Sequence, residues 1–194
     1  MHPFLVYDCE IIKAIPSTKE TPVEGIEYCG GWRDFPNMGI SVIGAYDYQT
    51  GRYRAFLADN FQEFQQLACE RIPVAFNGRA FDDQLVAANG LSTPECYDLL
   101  VEIWAGAGLG PTFDFKTHGG FGLDAVCETN FGMNKTGNGA LAPILWQRGQ
   151  HGQVIDYCLN DVAMEARLLD HVLEYGWIVS PKDGRKLTVR PPVY

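Results

Sequence analysis

The chain has 194 residues, 46% of them hydrophobic, and a net charge of -9. That length and composition suit one soluble globular domain with a real core, and no window reaches the ~20 apolar residues of a membrane helix. The acidic balance argues against gripping duplex DNA through a broad basic surface, but it leaves open a nucleic-acid substrate handled by an acidic, metal-binding site.

The start, "MHPFLVYDCE", lacks a basic run and a small-residue cleavage site, so a cytoplasmic (intracellular) location is expected. "PFLVYDCEI" reads as a strand. Residues i and i+2 share a strand face, so Asp8 and Glu10 stand side by side at its end. Two carboxylates there repel and resist desolvation, so either they are solvated decoration or a cation lies between them.

A long loop is expected over 13–38, rich in Gly, Pro, Ser, Thr and Glu. "GISVIGAYDYQTGRYRAFLA" reads as two strands turning at Gln49-Thr50-Gly51. "NFQEFQQLACER" is a helix with Asn60 as candidate N-cap. A short buried strand, "IPVAFN", precedes a helix, "RAFDDQLVAANG", that stops at Gly90. "CYDLLVEIWAGAG" begins extended and becomes helical, and a glycine-rich loop follows.

"LDAVCETNFG" and "ALAPILWQRG" are short helices, and "HGQVIDYCLNDVAMEARLLDHVLEYG" is the longest. There Ile155, Cys158, Leu159, Val162, Ala166, Leu169 and Val172 form a core-facing stripe. The tail reads as a hairpin over 177–190, turning at Lys182-Asp183-Gly184. Strands in succession, then strands alternating with helices, predict an α/β fold with a mixed central sheet.

The six cysteines are scattered singly and the four histidines are dispersed, which is not zinc-site spacing; reduced, partly buried thiols are expected. Three places carry acids beside buried segments: Asp8 with Glu10, Asp82 at the head of a helix, and Asp161 four residues after Tyr157 on the longest helix. Taken singly, Asp82 fits a helix N-terminal acid, Tyr157 fits core-edge packing, and Asp161 fits a sheltered polar neighbour of the stripe.

Together they resemble a known pattern. Asp8-Cys9-Glu10, Asn77-Gly78-Arg79-Ala80-Phe81-Asp82 and Tyr157-Cys158-Leu159-Asn160-Asp161 are similar to the three motifs of the DEDD exonuclease superfamily, and the Tyr points to its DEDDy branch. "GGW", "MGISVIGAYD", "NFGMNKTGNGA", "DYCLNDVA" and "YGWIVSPKDGRKLTV" resemble the ribonuclease H-like domain found attached to, or near, some bacterial helicases. Ile11 departs from the family pattern, which usually has Thr after the Glu.

The resemblance implies one ribonuclease H-like domain over 1–194 and a 3'→5' exonuclease of single-stranded nucleic acid, DNA or RNA. Asp8, Glu10, Asp82 and Asp161 would hold two divalent cations, Mg²⁺ or Mn²⁺, with Asp8 bridging them and Asp82 acting largely through water. Tyr157 would orient the attacking water, since a phenol of ordinary pKa about 10 is a poor base at neutral pH. Asn77, Phe81 and Lys135 are the expected substrate contacts, and a separate helicase or replication protein is an expected partner.

Two other functions fit the same pattern: a non-catalytic nucleic-acid-binding or assembly module, and a ribonuclease H-like endonuclease. Trp32 and Phe35 fit either stacking on bases or packing of the long loop. Lys182, Arg185, Lys186 and Arg190 fit either a guiding edge for substrate or a solvated hairpin, and His118 reads as structural.

Overall fold

A computed structural model of the protein describes residues 2–17, 21–134, 137 and 139–193. The central strand of its main sheet is β1 (Phe4–Ile11). The segment 13–38 follows. Among its described residues Ala14 and Tyr28 form a bridge, and the segment ends, against the expectation of a plain loop, in one helical turn, α1 (Phe35–Met38). Met38 is fully buried among Phe64, Leu85 and Val86, and that packing draws the end of the segment onto the body of the protein.

Antiparallel pairing joins β1 to β2 (Ile40–Asp47) and β2 to β3 (Arg52–Phe56), as the turn at Gln49-Thr50-Gly51 predicts. Helix α2 (Phe61–Cys69) then carries the chain across to β4 (Ile72–Ala75), which is parallel to β1. Asn60 precedes α2 but does not cap it; its side-chain oxygen accepts instead from the backbone N–H of Leu57 at 2.7 Å. Helix α3 (Asp82–Ala88) leads to β5 (Tyr97–Asp98), parallel to β4. The sheet order is β3-β2-β1-β4-β5, and the strand directions are mixed.

Helices α4 (Leu99–Gly106), α5 (Leu123–Phe131), α6 (Ala142–Gln147) and α7 (His151–Tyr175) follow. Strands β6 (Trp177–Val179) and β7 (Lys186–Thr188) make the expected C-terminal hairpin, a two-stranded sheet of its own. Gly176, with φ 69°, ends α7 and turns the chain into β6.

Both faces of β1 are buried, which explains its nearly unbroken apolar run. Leu5, Tyr7, Cys9 and Ile11 pack with Phe64, Leu67 and Ala68 of α2 and with Leu85 and Val86 of α3. Phe4 and Val6 point the other way, into a core with Val162, Leu168, Leu169 and Val172 of α7 and Leu99, Ile103 and Val126 of α4 and α5. The main sheet is thus flanked by helices on both sides, a ribonuclease H-like arrangement. Among the described residues no helix is long and apolar enough to cross a membrane.

The cysteines are all free, five buried and Cys69 exposed. His118 is buried beside Trp104, with one ring nitrogen 2.9 Å from the Gly110 carbonyl oxygen and the other accepting from the Asp114 N–H. These contacts tie down its own loop.

Candidate active site

Strand alternation decides where the first two acids go. Asp8 and Glu10 continue the face that begins with Phe4 and Val6, so they point toward α7 rather than toward α2 and α3. Helix α7 crosses that face closely. Cys158 places its thiol 3.4 Å from the Asp8 carbonyl oxygen, and its neighbours on the same helix face are Tyr157, Asp161 and Val162. Residue Asp161 is therefore delivered beside the acids of β1.

Oxygens of Asp8, Glu10 and Asp161 lie within 4.8 Å of one another. Glu10 and Asp161 are buried and Asp8 is half-buried. Oxygen ligands about 2.1 Å from one small cation are at most about 4.2 Å apart, so this trio needs only a slight contraction to hold a hard divalent ion. The three carboxylates are a cluster that can bind a metal. Exposed acids would disperse into water; these are held together by a strand and a helix that pack on each other.

Asp82 arrives from the opposite side of the sheet, at the head of α3, and lies outside that trio. Its Oδ1 accepts from the backbone N–H of Cys9 at 2.9 Å, which places it between the two acids of β1 along the strand. Burial and the neighbouring Asp8 charge push its carboxyl well above the usual range, against the pull of the Cys9 N–H. A carboxylate so placed gains from any cation nearby.

The turn that delivers Asp82 has two supports. Asn77 is the one non-glycine residue with positive φ, 67°, among the described residues, a conformation Asn tolerates better than most. Asp98, buried at the end of β5, takes the N–H groups of Asn77 at 3.0 Å and Arg79 at 3.1 Å, and also caps α4 through Leu100 and Val101. Burial pushes the Asp98 carboxyl up and these four N–H groups pull the other way. One step further back, Tyr7 donates to Asp83 at 2.5 Å and the Cys96 N–H donates to the other Asp83 oxygen at 3.1 Å, which fixes α3 against β1.

The four acids Asp8, Glu10, Asp82 and Asp161 open on one cleft of about 1160 Å³. Asp8, Glu10, Asp82, Tyr157, Asp161, Asn77 and Phe81 line it, together with Ile11, Trp32, Phe35, Arg33 and Arg79. Lys135 lies outside the described residues. Burial, then Asp82 for Cys9 and Asp8 for Cys158, pushes both thiols well up, so neither is a ready nucleophile.

Two acids were not singled out from the sequence. Asp98 carried an available signal, an Asp at the head of a helix after an extended stretch. Its reach back to Asn77 and Arg79 is tertiary and carried none. Glu165, one turn beyond Asp161 and almost fully buried, reads in the sequence as an ordinary charged helix residue.

No protein-family model matches the chain. No curated protein matches it either. Among solved structures, RNase D of Trypanosoma brucei is similar, with a TM-score of 0.54 at 16% sequence identity. The match covers 94% of this chain and 59% of that one, so the chain spans well under two thirds of its neighbour's length. At that identity the likeness speaks to the fold, and the fold it supports is the ribonuclease H-like one, a mixed five-stranded sheet flanked by helices with three carboxylates gathered on its central strand and last long helix.

Proposed function

We propose that the chain is a metal-dependent 3'→5' exonuclease of the DEDDy type that hydrolyses phosphodiester bonds of single-stranded nucleic acid. The observation that carries this reading is the carboxylate trio of Asp8, Glu10 and Asp161 within 4.8 Å, in a cleft that also holds Asp82 and Tyr157. The RNase D neighbour, a nuclease by name, points the same way. A scaffold gains nothing from clustering buried acids, whereas a cation site requires it.

Two Mg²⁺ or Mn²⁺ ions, when bound, would lower the pKa of the attacking water and offset the charge that builds on the phosphoryl oxygens. The residues do the rest. Asp8, Glu10 and Asp161 hold the cations. Asp82, kept in place by the Cys9 N–H, acts on the cations largely through water. Tyr157, on the same face of α7 as Asp161, orients the attacking water. Asn77 and Phe81 face the substrate from the turn before Asp82, and Lys135 is retained as a substrate contact on the sequence alone. A helicase or replication partner likewise rests on sequence resemblance.

The test is incubation with 5'-labelled single-stranded DNA and RNA in Mg²⁺, Mn²⁺ or chelator. The expected result is a ladder shortening from the 3' end, with no cleavage in chelator. Asp8→Ala should remove nearly all activity, and Tyr157→Phe should slow it roughly ten- to a thousandfold with folding intact. Cleavage appearing first at internal positions, or a circular strand cut as fast as a linear one, would make the protein an endonuclease. Absence of cleavage with either metal, with nucleic-acid binding unchanged in Asp8→Ala, would make it a non-catalytic module.

A further inference from the structure

The cleft has an acidic wall and an aromatic one. The aromatic wall is Phe81, Phe35 and Trp32, with Phe81 adjacent in sequence to Asp82. The Trp32 and Phe35 rings stand edgewise to the Phe81 ring, with centroids 6.4 and 5.8 Å away. Phe81 and Phe35 are half-buried, but Trp32 is 71% exposed.

An indole so exposed loses the hydrophobic gain of burial, and packing of the segment does not account for it. Nor is it on a loose tip. The Asp34 carboxylate accepts from the Gly30 N–H at 2.6 Å and from the Asn37 amide at 2.7 Å, and the Asp34 N–H donates to the Gly31 carbonyl at 3.0 Å. Gly31, with φ 138°, supplies a backbone that a side chain would disfavour. The base of this turn is fastened in turn, since the Cys29 N–H donates to the Ala14 carbonyl at 2.9 Å. The tryptophan is therefore held out, in the cleft that the acid cluster lines, on a pre-organised support.

Next to it Arg33 is exposed and makes no ion pair among the described residues. Arg79 lines the same cleft, with its Nε donating to the Cys96 carbonyl at 3.0 Å. An exposed flat ring and an exposed guanidinium lining one cleft match one class of occupant: an unpaired nucleobase with its phosphate.

We propose that Trp32 is the stacking platform for an unpaired base of the bound strand, with Phe81 as its backing and Arg33 pairing with the adjoining phosphate. This rests on the nuclease reading above and adds a selectivity to it. Strands are held at this point by the π-face of a base, so sequence matters little and an intact base matters a great deal. A strand lacking that base would lose the contact while keeping every phosphate.

The experiment has a binding arm and a turnover arm. In the first, tryptophan fluorescence is followed while an eight-nucleotide oligothymidylate is titrated in with Ca²⁺, the strand being checked as intact afterwards. Wild type should be quenched. Trp32→Ala should lose most of the quench and bind about five- to a hundredfold more weakly, and Trp32→Phe should recover part of the affinity. In the second, kcat and KM are compared on strands with a normal or an abasic residue at each of the last three 3' positions. At one position the abasic residue should raise KM for wild type by a similar factor and leave Trp32→Ala unaffected, with kcat little changed.

If wild type cleaves but Trp32→Ala binds and cleaves both strand types as wild type does, the platform is refuted and the nuclease reading stands. If wild type cleaves nothing but the quench and its loss in Trp32→Ala are seen, the platform stands and the nuclease reading fails. Trp32→Ala should melt with wild type because the ring is in solvent; a lower melting temperature with unchanged affinity in Trp32→Phe and Trp32→Ala alike would show a structural residue and overturn the proposal.

Discussion

Gly44 offers the sharpest test of how the acid cluster is assembled. It lies directly opposite Asp8 in the β1–β2 ladder, on the face that α7 covers. A methyl group there would stand 2.8 Å from the Cys158 sulfur, 3.2 Å from a Val162 methyl and 3.4 Å from a Leu159 methyl. To reach ordinary contact the Cys158 sulfur would have to withdraw by roughly 0.6 Å. It cannot simply swing away in a fully buried site, so α7 itself must lift from the sheet, and Asp161 goes with it. Overpacking of this kind costs about 1–3 kcal/mol. For a chain of this size that is a fall in Tm of about 2–12 °C.

An open strand glycine changed to Ala would instead be expected to gain roughly 0.5–1 kcal/mol, so the sign itself discriminates. We expect Gly44→Ala to melt lower by circular dichroism and to gain less stability from Mn²⁺ than wild type, because a tenfold weaker site gives up about 1.4 kcal/mol at high metal. Adding Cys158→Ala removes the closest clash and should restore about 1 kcal/mol relative to the sum of the single variants. A Gly44→Ala protein as stable as wild type, or strict additivity in the double variant, would refute the close-approach account.

Three further outcomes can be checked on the same protein. Asp98→Asn puts an amide where backbone N–H groups point, so we expect a loss of about 1–3 kcal/mol by urea unfolding, with weaker activity through a displaced Asp82. Asn77→Gly should hold stability within about 0.5 kcal/mol whereas Asn77→Ala loses about 1 kcal/mol, as its positive φ requires; an activity loss in Asn77→Gly at unchanged Tm would identify a substrate contact by the amide. Burial raises the Asp47 carboxyl, but Arg71, the Gln49 N–H and the Thr50 hydroxyl outweigh it and hold the group below its usual range. Its stabilising share is thus present above about pH 4 and is lost as pH falls through the lower folded value, so urea midpoints of Asp47→Asn should fall less steeply than those of wild type below about pH 4.

The parts of the site that follow from periodicity are legible in the sequence. Alternation along β1 already puts Asp8 and Glu10 on one face, and a spacing of four already puts Tyr157 with Asp161 on one side of α7. The parts that depend on contacts between distant segments are not. Asn60 has the sequence of a helix cap, yet its oxygen is spent on Leu57. Residues 13–38 read as loop by composition, yet their end becomes helical because Met38 finds a buried place among α2 and α3.

The approach of Asp82 to β1 is the strongest case. Its pattern in the sequence is that of an acid favouring a helix dipole, and nothing local says that it should reach the Cys9 N–H. What brings it there is a left-handed Asn77, and an Asp98 that collects the N–H groups of Asn77 and Arg79 within the β4–α3 turn from about twenty residues further along the chain. The same placement explains why Asp82 stands apart from the trio of Asp8, Glu10 and Asp161. One of its oxygens accepts from the strand, so it is positioned by the backbone of β1 rather than by α7. The trio therefore depends on how closely α7 lies on the sheet, and Asp82 depends on the β4–α3 turn. Gly44→Ala and Asp98→Asn perturb these two supports separately, so metal affinity should respond mainly to the first and turnover to both.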